Sequence, residues 1–285
     1  MKIKPWLSFA LITTIFWGVW GAFSEEKAGF PATMVYVVWA ITMIIPALIA
    51  LKRINWKLET DKKAILHGLI IGAAGSAGQL ILFQALRTGP AYLVFPIVSL
   101  SPLATIFLSL WLLKEKASLK SWAGIIIALL AIPLLSYQPP ASGLKFGFLW
   151  ILLALAVFLL WGIQAYFIKV ANNHMMAESI FFYMMIAGLT LIPVAIYMTD
   201  FRQPINWGFK GPYLNAGIQI LNSIGALFLV YAFRYGKAII VSPLTNAGAP
   251  VITIILSLLI YGVFPHTVIL AGMILAVTAI FLLAD

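Results

Sequence analysis

The chain has no cysteine and few charged residues, and these two absences exclude several kinds of protein. Of its 285 residues, eight are acidic and none is cysteine. A chain without cysteine forms no disulfide, no thiolate metal site and no cysteine nucleophile. Charged residues make up 9% of the chain, whereas a soluble domain carries roughly 25%. Such a chain cannot cover a water-facing surface, so we predict an integral membrane protein.

Motifs for metal binding and for nucleotide hydrolysis are also missing. The three histidines are scattered at or near predicted helix ends, and no spacing of His, Asp and Glu is typical of a metal site. The chain has no glycine-rich loop followed by Lys-Ser or Lys-Thr, which argues against transport driven by ATP. Convergent His, Asp or Glu residues within the apolar runs are missing too. We therefore expect no metal, no cofactor and no enzymatic activity.

Basic residues exceed acidic ones and give a formal net charge of +10. In a soluble protein this excess would indicate nucleic acid, but in a membrane protein Lys and Arg collect in short cytoplasmic loops. We therefore expect the lipid bilayer and a small-molecule substrate as partners, and no nucleic acid. The start, MKIKPWLSFALITTIFW, resembles a signal peptide. Because no small-residue cleavage site follows, we expect this segment to be retained.

The hydrophobic pattern predicts ten membrane spans, since a spanning helix needs about 20 mostly apolar residues. The predicted spans are 6–27, 33–51, 65–86, 91–113, 121–137, 147–168, 178–198, 212–233, 238–261 and 266–284. With a cytoplasmic N-terminus, thirteen Lys and Arg residues fall on the cytoplasmic side and five on the outer side. This bias predicts that both termini are cytoplasmic, in a bacterial-type inner membrane.

The two halves of the chain repeat each other. The segment GQLILFQALRTGPAYLVFP, residues 78–96, aligns with GALFLVYAFRYGKAIIVSP, residues 225–243, at an offset of 147. At an offset of 144, Trp17-Gly18 recurs as Trp161-Gly162. With five spans in each half the second copy is inserted upside down, as in many secondary transporters. We expect one all-α membrane domain of two inverted five-helix repeats, residues 1–137 and 147–285, around a central cavity.

Three segments share their pattern of small residues and prolines with one transporter family. They are FWGVWG in the first span, FQALRTGPAYLVFPIVSLSPLATIFLSLWLLKEKAS in the first half, and YAFRYGKAIIVSPLTNAGAPVITIILSLLIYG in the second. Together they resemble the drug/metabolite transporter superfamily, and its EamA-type ten-helix family in particular. The resemblance implies a secondary transporter that moves a small organic metabolite across the inner membrane by alternating access.

The substrate class expected from this resemblance is amino acids or related solutes, moved by export. One alternative is an uptake transporter for a sugar or a vitamin-like solute. A third possibility, of another class, is a lipid-carrier flippase, which would need a basic groove for phosphate. The spans contain no cluster of basic residues that would form such a groove.

Amides on the eighth predicted span are candidate substrate residues, because a polar group in lipid is costly and usually faces a cavity or a bundle interior. Asn215, Gln219 and Asn222 share one face of this span. The equivalent face of the third span, 147 residues earlier, has three glycines followed by Gln79: Gly68, Gly72 and Gly75. This difference between the repeats favours a substrate surface that includes Gln79. Hydrogen bonding between helices is the alternative.

Tryptophans and further amides extend the candidate cavity. Trp17 and Trp20 lie three residues apart, and their repeat positions hold Trp161 and Gln164. We assign these four residues to the substrate cavity, together with Asn246 of the ninth span. Aromatic walls with a few amides suit a neutral, zwitterionic or cationic organic solute. Core packing is the alternative for the tryptophans.

Four prolines are candidates for kinks and gate motion, because each removes a backbone donor and frees a carbonyl. Two lie in the fourth span and two in the ninth: Pro96, Pro102, Pro243 and Pro250. Freed backbone groups at membrane depth are tolerated where they are buried or line a cavity. Simple helix bending is the alternative.

Charged residues are expected at the ends of the spans. We place Glu25 and Arg87 at the outer mouth of the cavity, and for Glu25 a hydrated helix end is favoured over a buried proton site. Glu115, at the end of the fourth span, is expected to form an ion pair or to cap a neighbouring helix. The ninth span closes with LLIYGVF, which has no acidic residue at the corresponding place.

Coupling and assembly are less constrained by the sequence. No acidic residue lies at the centre of a span, so a buried proton carrier is not evident. Protons stay a candidate coupling ion, with exchange and facilitated diffusion as alternatives. We expect a monomer or a weak dimer.

Overall fold

Ten helical spans make up the protein in a computed structural model, which describes residues 4–23, 29–89, 91–137, 147–262 and 264–284. Over these residues the chain is helical and forms no strand. The spans are α1 (Pro5–Phe23), α2 (Ala32–Thr42 and Ile44–Arg53), α3 (Lys62–Thr88), α4 (Ala91–Ser99 and Ser101–Trp111), α5 (Leu119–Leu135), α6 (Leu149–Ala171), α7 (Ala177–Thr190 and Ile192–Tyr197), α8 (Leu214–Tyr235), α9 (Ala238–Tyr261) and α10 (Thr267–Ala284).

Nine of these ten spans are long and apolar enough to cross a membrane, counted over the part of the chain that the structure describes. The remaining one, α5, is a shorter apolar helix. The predicted fold class is therefore confirmed: an all-α membrane protein with two inverted five-helix repeats around a central cavity.

Local sequence signals set several helix ends. The carboxylate of Asp61 accepts hydrogen bonds from the backbone N–H groups of Lys63 and Ala64, so α3 begins there. The hydroxyl of Ser118 caps α5 in the same way. At the other end of a helix, Gly262 stops α9 with a left-handed backbone, φ +66°, which glycine adopts without steric cost.

Prolines account for the three broken spans. The breaks lie at Met43 in α2, at Leu100 in α4 and at Leu191 in α7. Each break precedes a proline by two or three residues, because proline cannot donate to the carbonyl four residues earlier. These prolines are Pro46, Pro102 and Pro193.

The other predicted kink prolines lie inside continuous helix. Pro96 lies within the first piece of α4, and α9 runs unbroken over Pro243 and Pro250. Of the four candidates, Pro102 alone therefore follows a helix break among the described residues. A gating role for all four remains a prediction.

The two repeats are interlocked, because the first helix of each packs on the other repeat. Helix α1 packs on α8 and α9, and α6 packs on α3 and α4. This exchange produces an α1–α8–α9 unit and an α3–α4–α6 unit, which correspond to each other under the repeat. Helix α2 lies between α7 and α8, α7 packs on α3, and α5 packs on α10.

A tryptophan against a glycine forms each crossing. Trp17 lies against Gly225 of α8, and its Nε1 donates to the carbonyl oxygen of Asn222 at 3.2 Å. Trp161 lies against Gly78 of α3, and its Nε1 donates to a carbonyl oxygen one turn earlier in that helix at 3.3 Å. The same repeat positions therefore make the same contacts in both halves.

The glycine that follows each tryptophan allows the second helix to approach. A Cβ atom on Gly18 would collide with Ile252 of α9, and one on Gly162 would collide with Ala104 of α4. A threonine hydroxyl of the facing helix donates to each glycine carbonyl, at 3.0 Å for Gly18 and 3.2 Å for Gly162. The recurring Trp-Gly pair therefore fixes how the two repeats interlock.

Replacement of these glycines should weaken the fold. We expect Gly18→Ala and Gly162→Ala each to lower the free energy of unfolding by about 1–3 kcal/mol, because the added methyl group overpacks a rigid contact. Thermal unfolding in detergent measures the effect. The matched control is Gly217→Ala in α8, where an added Cβ would meet nothing within 4 Å. Equal stability of all three variants would contradict the crossing described above.

Candidate functional site

A cavity of about 800 Å³ lies between α3 and α8. We call the end of the bundle where α1 begins and α10 ends the terminal face, and the opposite end the distal face. The cavity occupies the distal half, since its lining includes the start of α2, the end of α3 and the start of α8. Its volume falls within the usual range for small-molecule sites, roughly 300–1,000 Å³.

The amides of α8 form one wall of this cavity. Asn215, Gln219 and Asn222 all line it. The Oε1 atom of Gln219 accepts from Trp20 Nε1 at 3.2 Å and from Asn222 Nδ2 at 3.4 Å. Because an indole only donates, Gln219 must direct its oxygen toward Trp20. In this arrangement the Gln219 amide nitrogen is a further donor and the Asn222 side-chain oxygen a further acceptor in the wall of the cavity.

Aromatic side chains form much of the remaining wall. They come from α1, α2, α3, α4 and the segment before α2: Trp20, Phe30, Tyr36, Trp39, Phe83 and Phe95. The rings of Tyr36 and Trp39 have centroids 5.3 Å apart, and the Tyr36 hydroxyl donates to the carbonyl oxygen of Gly188 at 2.9 Å. This bond fixes Tyr36. The Trp39 indole nitrogen is buried and has no hydrogen-bond partner among the described residues.

Two opposite charges lie at the mouth of the cavity. Arg87 and Asp200 both line it, and the Arg87 guanidinium donates to the carbonyl oxygen of Met198 at 3.4 Å. Gln79 lies eight residues before Arg87 on α3, which at 1.5 Å per residue is about 12 Å deeper. The charges are therefore at the entrance, and neutral amides and aromatic rings surround the deeper part.

Six of the predicted site residues line the cavity: Trp20, Gln79, Arg87, Asn215, Gln219 and Asn222. The structure brings these together from α1, α3 and α8, as the repeat and the helical periodicity suggested. Their role in substrate binding remains a prediction.

Four other predicted cavity residues lie elsewhere. Trp17 and Trp161 lie in the helix crossings, a place that corresponds to core packing, the alternative given for them above. Gln164 packs against Gly75 of α3, and Asn246 donates to the carbonyl oxygen of a residue one turn earlier in its own helix at 2.9 Å. None of the four is among the described lining residues. Glu25 lies outside the described residues.

Sequence reasoning missed several lining residues. Tyr36 and Trp39 lie three residues apart on α2, the same spacing as Trp17 and Trp20, so this signal was present in the sequence. Phe83 and Phe95 lie in apolar runs that contain many similar residues. Asp200 follows α7 in a loop, and only its rarity as an acidic residue could have drawn attention to it.

Hydrogen bonds join α8 to the α6–α7 region at the terminal face. The Tyr231 hydroxyl donates to Glu178 Oε1 at 2.6 Å, and the Arg234 guanidinium donates to the carbonyl oxygen of Met175 at 2.9 Å. Asn172 also donates to a carbonyl oxygen of α8 at 3.0 Å. These bonds hold together the two sides of the bundle that are separated around the cavity.

Two histidines also meet at the terminal face, where the rings of His67 and His174 have centroids 4.8 Å apart. Burial lowers the pKa of His174, and nearby Lys63 and His67 lower it further. Among the described residues, no group of three or more His, Asp or Glu side chains could hold a metal ion.

Comparisons with known proteins concern both the fold and the family. An uncharacterized protein of Methanocaldococcus jannaschii is 32% identical over 126 residues, which are 44% of this chain and 92% of that protein. The crystal structure of another protein has a TM-score of 0.80 at 17% sequence identity and covers 99% of this chain and 96% of that chain. This second likeness concerns the fold alone. The sequence profile of the EamA-like transporter family matches residues 4–137 and again residues 148–284, and this chain belongs to that family.

Proposed function

We propose that this protein is a secondary transporter that moves amino acids or related zwitterionic solutes by alternating access. The observation that supports the proposal is the cavity between α3 and α8, which has amides, aromatic rings and one pair of opposite charges in its lining. The cavity occupies only the distal half, and the helices are joined by hydrogen bonds at the terminal face. A solute site accessible from one side at a time is what alternating access requires.

The chemistry of the cavity suits a zwitterion with a sizeable side chain. The Arg87 guanidinium is the partner for a carboxylate, and the Asp200 carboxylate is the partner for an ammonium group. The aromatic wall offers stacking and apolar contact to the side chain of the solute. A lipid-carrier flippase is less well supported, because Arg87 is accompanied by an acid and the described lining contains no other Lys or Arg.

Orientation and direction belong to the same proposal. With both termini in the cytoplasm of a bacterial-type cell, as the distribution of Lys and Arg suggests, the distal face is outside and the cavity opens outward. Export is the direction expected from the resemblance to the family. The five described acidic residues lie in loops or at helix ends, so exchange and facilitated diffusion stand beside proton coupling.

The amide wall should be essential for transport. We expect Gln219→Leu and Asn222→Leu to abolish amino-acid flux in proteoliposomes, because each removes hydrogen bonds from a buried solute and leaves its polar groups unpaired. Size-exclusion profiles and thermal unfolding check that both variants are folded. The matched control is Asn246→Leu, whose amide bonds within α9 and which should keep most of the flux. Wild-type flux in both cavity variants would remove the amide wall from the site.

The mouth charges should contribute to the affinity for a zwitterion. Arg87→Gln and Asp200→Asn are each expected to raise the KM for amino acids about 1.5- to 5-fold, the range for exposed ion pairs. Arg202→Gln is the matched control, because Arg202 is in the same loop as Asp200 but is not among the described lining residues.

A thermal-shift screen of purified protein against amino acids, sugars, nucleosides and vitamins tests the proposed substrate class. Stabilisation by a sugar or vitamin and by no amino acid would contradict the proposed class.

A further inference from the structure

Opposite charges hold the two ends of the α8–α9 turn. At the end of α8, Lys169 of α6 donates from Nζ to the carbonyl oxygens of Phe233 at 3.0 Å and Gly236 at 2.6 Å. At the start of α9, the Glu115 carboxylate accepts from the backbone N–H groups of Ala238 and Ile239, each at 3.1 Å. Glu115 therefore caps a neighbouring helix, as expected, and this cap joins the first repeat to the second.

The signs of these charges match the helix ends that they contact. A helix carries a partial negative charge at its C-terminus and a partial positive charge at its N-terminus. Lys169 is therefore favourable at the end of α8, and Glu115 is favourable at the start of α9. We call this pair of residues the charged clamp.

The charged clamp connects the two interlocked units. Lys169 lies in α6 and Glu115 in the segment that directly follows α4, whereas the turn they hold belongs to the α1–α8–α9 unit. Beside the clamp, Lys237 Nζ donates to the carbonyl oxygen of Lys116 at 2.5 Å and adds a third link between the same segments. The charged clamp therefore closes the terminal face at the point where the units would have to separate.

Neither residue of the charged clamp recurs in the sequence at the corresponding distal position. A counterpart of the clamp would act on the α3–α4 turn, but the sequence has Glu25 at the repeat position of Lys169 and no acidic residue in LLIYGVF at the end of α9. The Tyr261 hydroxyl at this end donates to the carbonyl oxygen of Ala22 at 3.3 Å, within the α1–α8–α9 unit. The two repeats thus differ in sequence at the positions that form the charged clamp.

We propose that Lys169 and Glu115 are gating residues that hold the terminal face closed and so favour the conformation with an open distal cavity. The inference rests on the alternating access of the proposed function, but its test needs no substrate. If the two charges are removed, the free energy of the closed terminal face rises and the population that opens there increases. The distal cavity should then close in the same fraction of molecules.

The lack of native cysteine permits a direct accessibility experiment. Ala226→Cys lies one turn beyond Asn222 toward the terminal face, on the same face of α8, and is buried. Val35→Cys lines the distal cavity. Each single-cysteine protein is reconstituted in oriented liposomes and labelled by a membrane-impermeant maleimide, at Ala226→Cys from the terminal side and at Val35→Cys from the distal side.

We expect Lys169→Gln or Glu115→Gln to raise the labelling rate of Ala226→Cys roughly 2- to 30-fold, the range for a charge at a helix terminus. The labelling rate of Val35→Cys should fall in the same variants. Opposite changes at the two positions distinguish gating from loosened packing, which would raise both rates. Unchanged rates, or a rise at both positions, would overturn the proposal.

Two matched control variants make the same change of charge at side chains that do not link the two interlocked units. Asp61→Asn alters a carboxylate that caps its own helix at the terminal face, and Lys57→Gln removes an exposed cation nearby. Neither should change either labelling rate. Glu115→Asp and Lys169→Arg keep the charge and serve if a Gln variant does not fold. The shorter aspartate should give a smaller change in the same direction, and no change with Glu115→Asp would also count against the clamp.

Discussion

The close approach of α1 and α6 to the opposite repeat is the constraint on which the rest of the structure depends. In lipid there is little hydrophobic drive between helices, so association relies on van der Waals contact and on hydrogen bonds at small residues. The Trp-Gly pair meets both needs. The indole N–H and the threonine hydroxyls bond to backbone carbonyl oxygens, and Gly18 and Gly162 give the room. Because the crossings are the same in both halves, they make the arrangement of the two repeats pseudo-symmetric. The features that serve the function must then be those in which the two repeats differ.

The departure that produces the cavity lies on the equivalent faces of α3 and α8. Gly68 and Gly72 let α3 pack directly against Tyr183 and neighbouring residues of α7. At the equivalent positions α8 has amide side chains, and these line the cavity. The second departure is at the helix ends, where the terminal face has the charged clamp and the sequence does not repeat its two residues at the distal positions. In our proposal, these two asymmetries account for a solute-sized space and for its opening on one side.

Much of this arrangement could be predicted from the sequence because a bilayer permits few solutions. Hydropathy predicted the ten spans, and recurring Gly, Pro and Arg positions predicted the inverted repeats. Helical periodicity placed Asn215, Gln219 and Asn222 on one face. The tryptophans could not be assigned in this way, since Trp17 contacts a residue 205 positions away, and a tryptophan inside a span is suited to packing and to a cavity alike. Asp200 was missed because loop residues have no periodic pattern.

The central claim is that the space between α3 and α8 is the solute site. A cryo-electron microscopy map of the protein with a transported amino acid tests it most directly. The account predicts solute density between the amides of α8 and the aromatic wall, within hydrogen-bonding distance of Gln219 and Asn222. Solute density elsewhere in the bundle, with the α3–α8 cavity occupied only by water or lipid, would contradict it.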